Sequence, residues 1–130
     1  MYQPPKNRKF SVVSSALLMS AALGFAMPAH AETGINDKEI IIGSTVPLSG
    51  PNAGYGTMGK AQRACFEYIN EELGGVKMGD GKTRKIKYIM YDDAMEPARH
   101  LQNSRRLVSK DGVFMVAGSA GTGANLASRP

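Results

Sequence analysis

A run rich in β-branched residues, Ile40, Ile41 and Ile42 and on to Val46, breaks abruptly into a loop crowded with turn formers. Such a run fits a strand buried on both faces, as in a parallel sheet. The loop carries Pro47, Ser49, Gly50, Pro51, Asn52, Gly54 and Gly56, and an amphipathic pattern follows it at once. The loop holds about ten residues, whereas a connection from strand to helix usually takes roughly 2–6. Open α/β sheets bind ligands in the crevice at the carboxyl ends of their strands. The extra length therefore marks this loop as a candidate functional element.

The same alternation continues. Strand one is expected over Glu39–Val46 and helix one from about Thr57 to Leu73. Met58, Ala61, Cys65, Tyr68, Ile69 and Leu73 form its apolar stripe, which places Cys65 in the core as a small hydrophobe. Thr57 is the expected cap, and Gly74-Gly75 ends the helix. Asp80-Gly81 signals a tight turn, and Val76–Met78 is a possible first arm of a hairpin. Arg84–Tyr91 alternates as a strand near a sheet edge, since one face carries Lys85 and Lys87. Helix two is expected from about Pro97 to Lys110, with a stripe of Ala98, Leu101, Leu107 and Val108. Val113–Ala117 reads as a short central buried strand. Gly118–Gly123 is a second loop at a strand's carboxyl end, and Ala124–Ala127 begins a third helix. The order β-α-β-α-β-loop-α predicts an α/β fold, a Rossmann-like parallel sheet with flanking helices.

The beginning of the chain reads differently. Lys6, Arg8 and Lys9 precede 17 uncharged residues, Ser11–Met27, and then Ala29-His30-Ala31. A positive start, an apolar middle and a small-residue exit make a secretory signal peptide over residues 1–31, with cleavage between Ala31 and Glu32. Residues 32–130 are then the folded part, and the protein is expected in the periplasm. A membrane anchor is the alternative, but the run is short against the ~20 residues that span a bilayer. Loss of Lys6, Arg8 and Lys9 lowers the net charge from +5 to +2, which gives no reason to expect nucleic acid as a partner. One cysteine cannot form an internal disulfide, so the folded part relies on a hydrophobic core.

The chemistry points to binding. The loops after strands one and three should open on one rim of a parallel sheet. The first offers Ser49, Asn52, Tyr55 and Thr57; the second offers Ser119, Thr122 and the main-chain amides of Gly121 and Gly123. Amides and hydroxyls from Ser119 to Gly123 suit a carboxylate, and Tyr55 suits an apolar or ammonium-bearing part of the same ligand. The competing reading is that these residues only form turns. Gly118–Gly123 lacks the Lys and Ser/Thr that complete a P-loop, and neither loop has the spacing of a dinucleotide fingerprint. His100 is read as a solvated helix residue. Asp92, Asp93 and Glu96 are read as a strand end and a negatively charged helix start. No catalytic set, metal site or cofactor is expected.

VPLSGPNAGYGTMGKAQ, INEELGG, YDDAMEP and VFMVAGSAGTGAN, taken in this order, resemble the type I periplasmic solute-binding proteins. More narrowly, they are similar to the branched-chain amino acid and amide-binding components of ABC importers. The resemblance covers nearly all of Lys38–Arg129. It implies two Rossmann-like lobes joined by a hinge, closing on an amino acid or amide, and delivery to a membrane permease rather than catalysis. By position, Tyr55 matches the aromatic residue that lines the ligand. Gly121 and Thr122 match the stretch that binds its carboxylate, with Ser119 and Ala120 beside them. The family often has Ser at Thr122 and Asp at Glu96. Its members are much longer, so the chain is expected to be a truncated front part of the N-terminal lobe. An amide- or amino-acid-sensing regulator of the same fold is the alternative.

Overall fold

The computed structural model describes residues 32–129. The expected signal peptide, Ala31 included, lies outside the described residues. Strand β1 spans Glu39–Val46 as expected, and helix α1 spans Thr57–Glu71. A short β2, Val76–Lys77, pairs antiparallel with β3, Thr83–Asp92, through a turn closed by hydrogen bonds between Met78 and both Gly81 and Lys82. Helix α2 spans Pro97–Ser109, β4 Met115–Val116 and α3 Thr122–Ala127. The strand order is β2-β3-β1-β4, with β1 parallel to both β3 and β4. The sheet is thus parallel with one antiparallel strand at its margin, a common variant of the doubly wound type.

Helices lie on both faces. Alternate β1 side chains point to opposite sides. Val46 meets α1: a Cβ placed on Gly59 would lie 2.9 Å from the Val46 Cγ2. Gly43 meets α2: a Cβ there would lie 2.8 Å from the Leu107 Cδ2. Glycine at both positions lets a helix approach the strand closely. Val46, Leu107, Val113 and Ala124 are the buried centre.

Several expectations fail on a common ground. The apolar stripe expected to bury α1 faces outward: Met58, Ala61, Cys65 and Tyr68 are exposed, as is Leu73 beyond the helix end. Of that stripe Ile69 stays on the inner face, where Gly59, Gln62, Phe66 and Asn70 join it. The reason is the outer edge of β3, which β2 covers only at Thr83–Arg84. The Asn70 side chain donates to the Ile86 carbonyl at 2.8 Å and accepts from the Ile86 amide at 2.7 Å, acting as a substitute strand. The Tyr88 hydroxyl donates to Gln62 Oε1 at 3.1 Å, and the Phe66 ring packs edge-on to Tyr88. An unpaired backbone edge costs more than exposed methylenes do, so Asn70 takes a place on the inner face.

Helix α2 also departs from its expected face. Ala98 and Val108 are exposed, whereas His100, expected to be solvated, is 1 % exposed. The third parallel strand, expected over Val113–Ala117, is shorter, Met115–Val116, and among the described residues Phe114 and Met115 are exposed rather than buried. Thr57 does not cap α1, since its hydroxyl donates to the Gly54 carbonyl; Gly56 holds the cap position. Glu96 makes no side-chain cap bond on α2, in keeping with its poor fit to that role.

Candidate functional site

β1, β3 and β4 run parallel, so the loops after Val46, Asp92 and Val116 leave the sheet at the same edge. The first loop is pinned by a carboxylate of the second. The Leu48 and Ser49 amides donate to Asp92 Oδ1 at 2.7 and 3.2 Å, and the Ser49 hydroxyl donates to Asp92 Oδ2. Beyond this anchor the chain makes a 3-10 turn, Ala53–Gly56, where an open loop was expected. Gly56 is required there, because a Cβ would lie 2.3 Å from the Pro47 carbonyl oxygen. Tyr55 stands on this turn with 58 % of its surface exposed. It lines a shallow hollow with Pro51, Asn52 and Gly54, all from its own loop.

The Ser49 hydroxyl is the main cause of Asp92's low pKa, about 2 against an ordinary 3.8; the Ala94, Leu48 and Ser49 amides add to it and burial opposes it. A value depressed by folding means that the ionised carboxylate stabilises the fold fully above about pH 4, and that this contribution is lost as pH falls through the folded value. The Leu48 and Ser49 amide resonances are therefore expected to shift together with a midpoint near pH 2. Asp92→Asn should abolish that transition in an NMR titration. A midpoint near 4 for these amides would show that the carboxylate does not hold the loop.

The second loop is where sequence reasoning missed most. Asp93 is fully buried, and its Oδ2 accepts from the Thr45 hydroxyl at 3.0 Å and pairs with His100 Nδ1 at 2.8 Å. Its Oδ1 accepts from the Met95 amide at 2.8 Å. Asn103 extends the network by donating to Thr45 Oγ1 and to the Asp92 carbonyl, both at 3.0 Å. Ala94 and Met95 above this network take positive φ angles of 48° and 63°. Two consecutive aspartates at a strand end were the only available signal. Nothing in Ala or Met announces a left-handed backbone.

The third loop, Ala117–Gly121, opens on glycines at positive φ, Gly118 at 72° and Gly121 at 97°. Ala120 is buried at 7 % exposure, so its methyl group serves packing and only its backbone is available to a ligand. The Ser119 hydroxyl donates to Asn125 Oδ1 at 2.7 Å, which leaves it as an acceptor rather than the donor expected for a carboxylate. Among the described residues, the amides of Gly121, Thr122 and Gly123 donate to no backbone carbonyl. The Thr122 side chain is exposed beside them. This cluster of donors suits an anionic oxygen pair. Tyr55 and Ser119–Thr122 thus stand on loops that leave one edge of the sheet. Among the described residues, no group of three His, Cys, Asp or Glu side chains is placed to hold a metal.

A mainly parallel sheet between helices, with donor-rich loops gathered at the strand ends, defines the class of α/β domain that binds ligands at that edge. Residues 39–130 match the family model described as periplasmic binding protein, and the chain belongs to that family. It is 34% identical over 110 residues to the Leu/Ile/Val-binding protein homolog 3 of Brucella melitensis, covering 84% of this chain and 26% of that protein. Among solved structures it is similar to the branched-chain amino acid transporter substrate-binding protein LivJ of Streptococcus pneumoniae, in complex with isoleucine. That match has 34% identity and a TM-score of 0.61, over 70% of this chain and 25% of the other. It is also similar to an ABC-transporter solute-binding protein of Rhodopseudomonas palustris in complex with 3,4-dihydroxybenzoic acid. There the identity is 28% and the TM-score 0.56, over 72% of this chain and 23% of the other. The chain spans about a quarter of the length of the relatives it matches.

Proposed function

We propose that this chain forms part of the ligand-binding component of an ABC importer for branched-chain or related amino acids. On this reading residues 1–31 direct export to the periplasm, and the partner is a membrane permease. The observation that carries it is the set of Gly121–Gly123 amides, which among the described residues donate to no backbone carbonyl, beside the Thr122 hydroxyl. The ligands named for the two solved relatives, isoleucine and 3,4-dihydroxybenzoic acid, have a carboxylate in common. Donors of this kind receive one without a counter-charge. Tyr55 then covers the ligand from the first loop, and binding proceeds without bond-making chemistry.

The test is calorimetry on the full-length protein with L-leucine, L-isoleucine and L-valine. Leucinamide, which lacks the carboxylate, should bind at least roughly tenfold more weakly, because a charge-assisted hydrogen bond contributes about 1.5–3 kcal/mol. Thr122→Ala is expected to weaken leucine binding by a similar factor. Equal affinity for leucine and leucinamide would refute the carboxylate role of this loop. The relative that binds 3,4-dihydroxybenzoic acid supports a second reading, in which an aromatic carboxylate replaces the amino acid. Heat with that compound and none with the three amino acids would establish it.

A further inference from the structure

We infer that the Ala94–Met95 turn is a spacer between the first and third loops, and that Met95 is a positioning residue for the Gly121–Gly123 amides. The inference rests on the binding reading above for its functional consequence, but not for its geometry. Ala94 faces the first loop: a Cβ on Gly50 would lie 3.9 Å from the Ala94 Cβ. Met95 faces the third: a Cβ on Gly121 would lie 3.5 Å from the Met95 Cγ and 3.9 Å from its Cε. Two adjacent residues of one turn thus reach the two loops that carry the candidate ligand contacts.

The turn is unfavourable locally and is imposed from below. Residues with a Cβ avoid positive φ, and Ala94 and Met95 adopt it in succession. Their amides are held by the two aspartates before them, Ala94 by Asp92 Oδ1 at 2.9 Å and Met95 by Asp93 Oδ1 at 2.8 Å. Asp93 is in turn fixed in the core by Thr45 and His100. A rigid base therefore presents a flexible, unbranched side chain at its top. Methionine fills such irregular gaps well. Gly121 has no side chain, and the Met95 Cγ and Cε border the place one would occupy, so the Met95 side chain is a neighbour against which the third loop rests. Without that side chain the neighbour left at this point is the Ala124 Cβ, 3.6 Å away and on the helix that the loop itself leads into.

The Asn125 amide donates to the Gly121 carbonyl at 3.0 Å, so its hydrogen exchange reports on the third loop. The Ala117 amide, bonded to Gly43 at 2.8 Å, reports on the sheet. In the full-length protein, Met95→Ala should speed exchange at Asn125 by roughly 3- to 30-fold while leaving Ala117 within about twofold. Met95→Leu, of similar volume, should restore the wild-type rate at Asn125. L-leucine affinity measured on the same variants should fall with Met95→Ala and recover with Met95→Leu. Unchanged exchange at Asn125 in Met95→Ala, or an equal rise at Asn125 and Ala117, overturns the spacer role. A wild-type protein that takes up no leucine defeats the amino-acid reading, and the exchange contrast still decides the spacer.

Discussion

Asp93→Ala is expected to cost about 3–5 kcal/mol of folding stability, the range seen when one partner of a buried charged network is removed. Two donors, the Thr45 hydroxyl and the Met95 amide, lose their acceptor at once, and His100 Nδ1 loses its hydrogen-bond partner. None of the three side chains Thr45, Asp93 and His100 has water to turn to, because all are buried. Stranded donors in a dry interior bring their full desolvation cost, which exceeds the net value of the bonds themselves. Against a total stability of roughly 5–15 kcal/mol for an ordinary domain, this loss leaves a large unfolded population. Asp93→Asn should cost less, since an amide oxygen still accepts from Thr45 or Met95. Urea unfolding followed by far-ultraviolet circular dichroism measures both. A loss below about 1 kcal/mol for Asp93→Ala would mean that water enters the network, since exposed polar sites respond that weakly.

The second large effect belongs to Leu107. It is fully buried on the inner face of α2, against Gly43 of β1 and close to Val113. Gly43 leaves room for it, so the leucine side chain fills space that a strand residue would otherwise occupy. Leu107→Ala should cost about 2–5 kcal/mol, the transfer of a methine and two methyl carbons plus the cavity they leave. The upper half of that range is expected, because the parallel strand on one side and the helix backbone on the other cannot collapse into the gap. Leu107→Met keeps the volume and should cost less than about 1.5 kcal/mol. Thermal unfolding of the two variants separates cavity from chemistry. Equal losses for both would show that shape rather than lost volume governs the site.

These two residues differ in how well the sequence announces them. Leu107 sits in a helical periodicity and is placed in the core by pattern alone. Asp93 and His100 are seven positions apart, and each looks like a surface residue in its own segment. They meet because β3 ends where α2 turns back over β1, which brings Thr45 within reach of both. No local pattern encodes a contact between positions 45, 93 and 100. The candidate site divides similarly. The glycines and hydroxyls of Gly118–Gly123 are legible as a loop at a strand end. That the Ser119 hydroxyl is already committed to Asn125, and that the Ala120 side chain is buried, is visible only once the loop is folded.

The order of elements, the bounds of β1, the turn at Asp80-Gly81, the stop at Gly74-Gly75 and the resemblance to a periplasmic binding protein were all readable in the chain itself. The structural ones rest on interactions between near neighbours, where backbone conformation follows from residue type, and the resemblance rests on motifs in order along the chain. The tertiary structure alone decided which side of α1 meets the sheet and that Ala94 and Met95 adopt a left-handed turn. For α1 the cause is hydrogen bonding at the sheet edge. A helix with apolar residues on one side and Gln62, Phe66 and Asn70 on another offers two candidate faces, and the unpaired backbone at Ile86 chose between them. Hydrogen-bond demand at a strand edge arises only when the strands assemble, so it leaves no periodicity along the sequence.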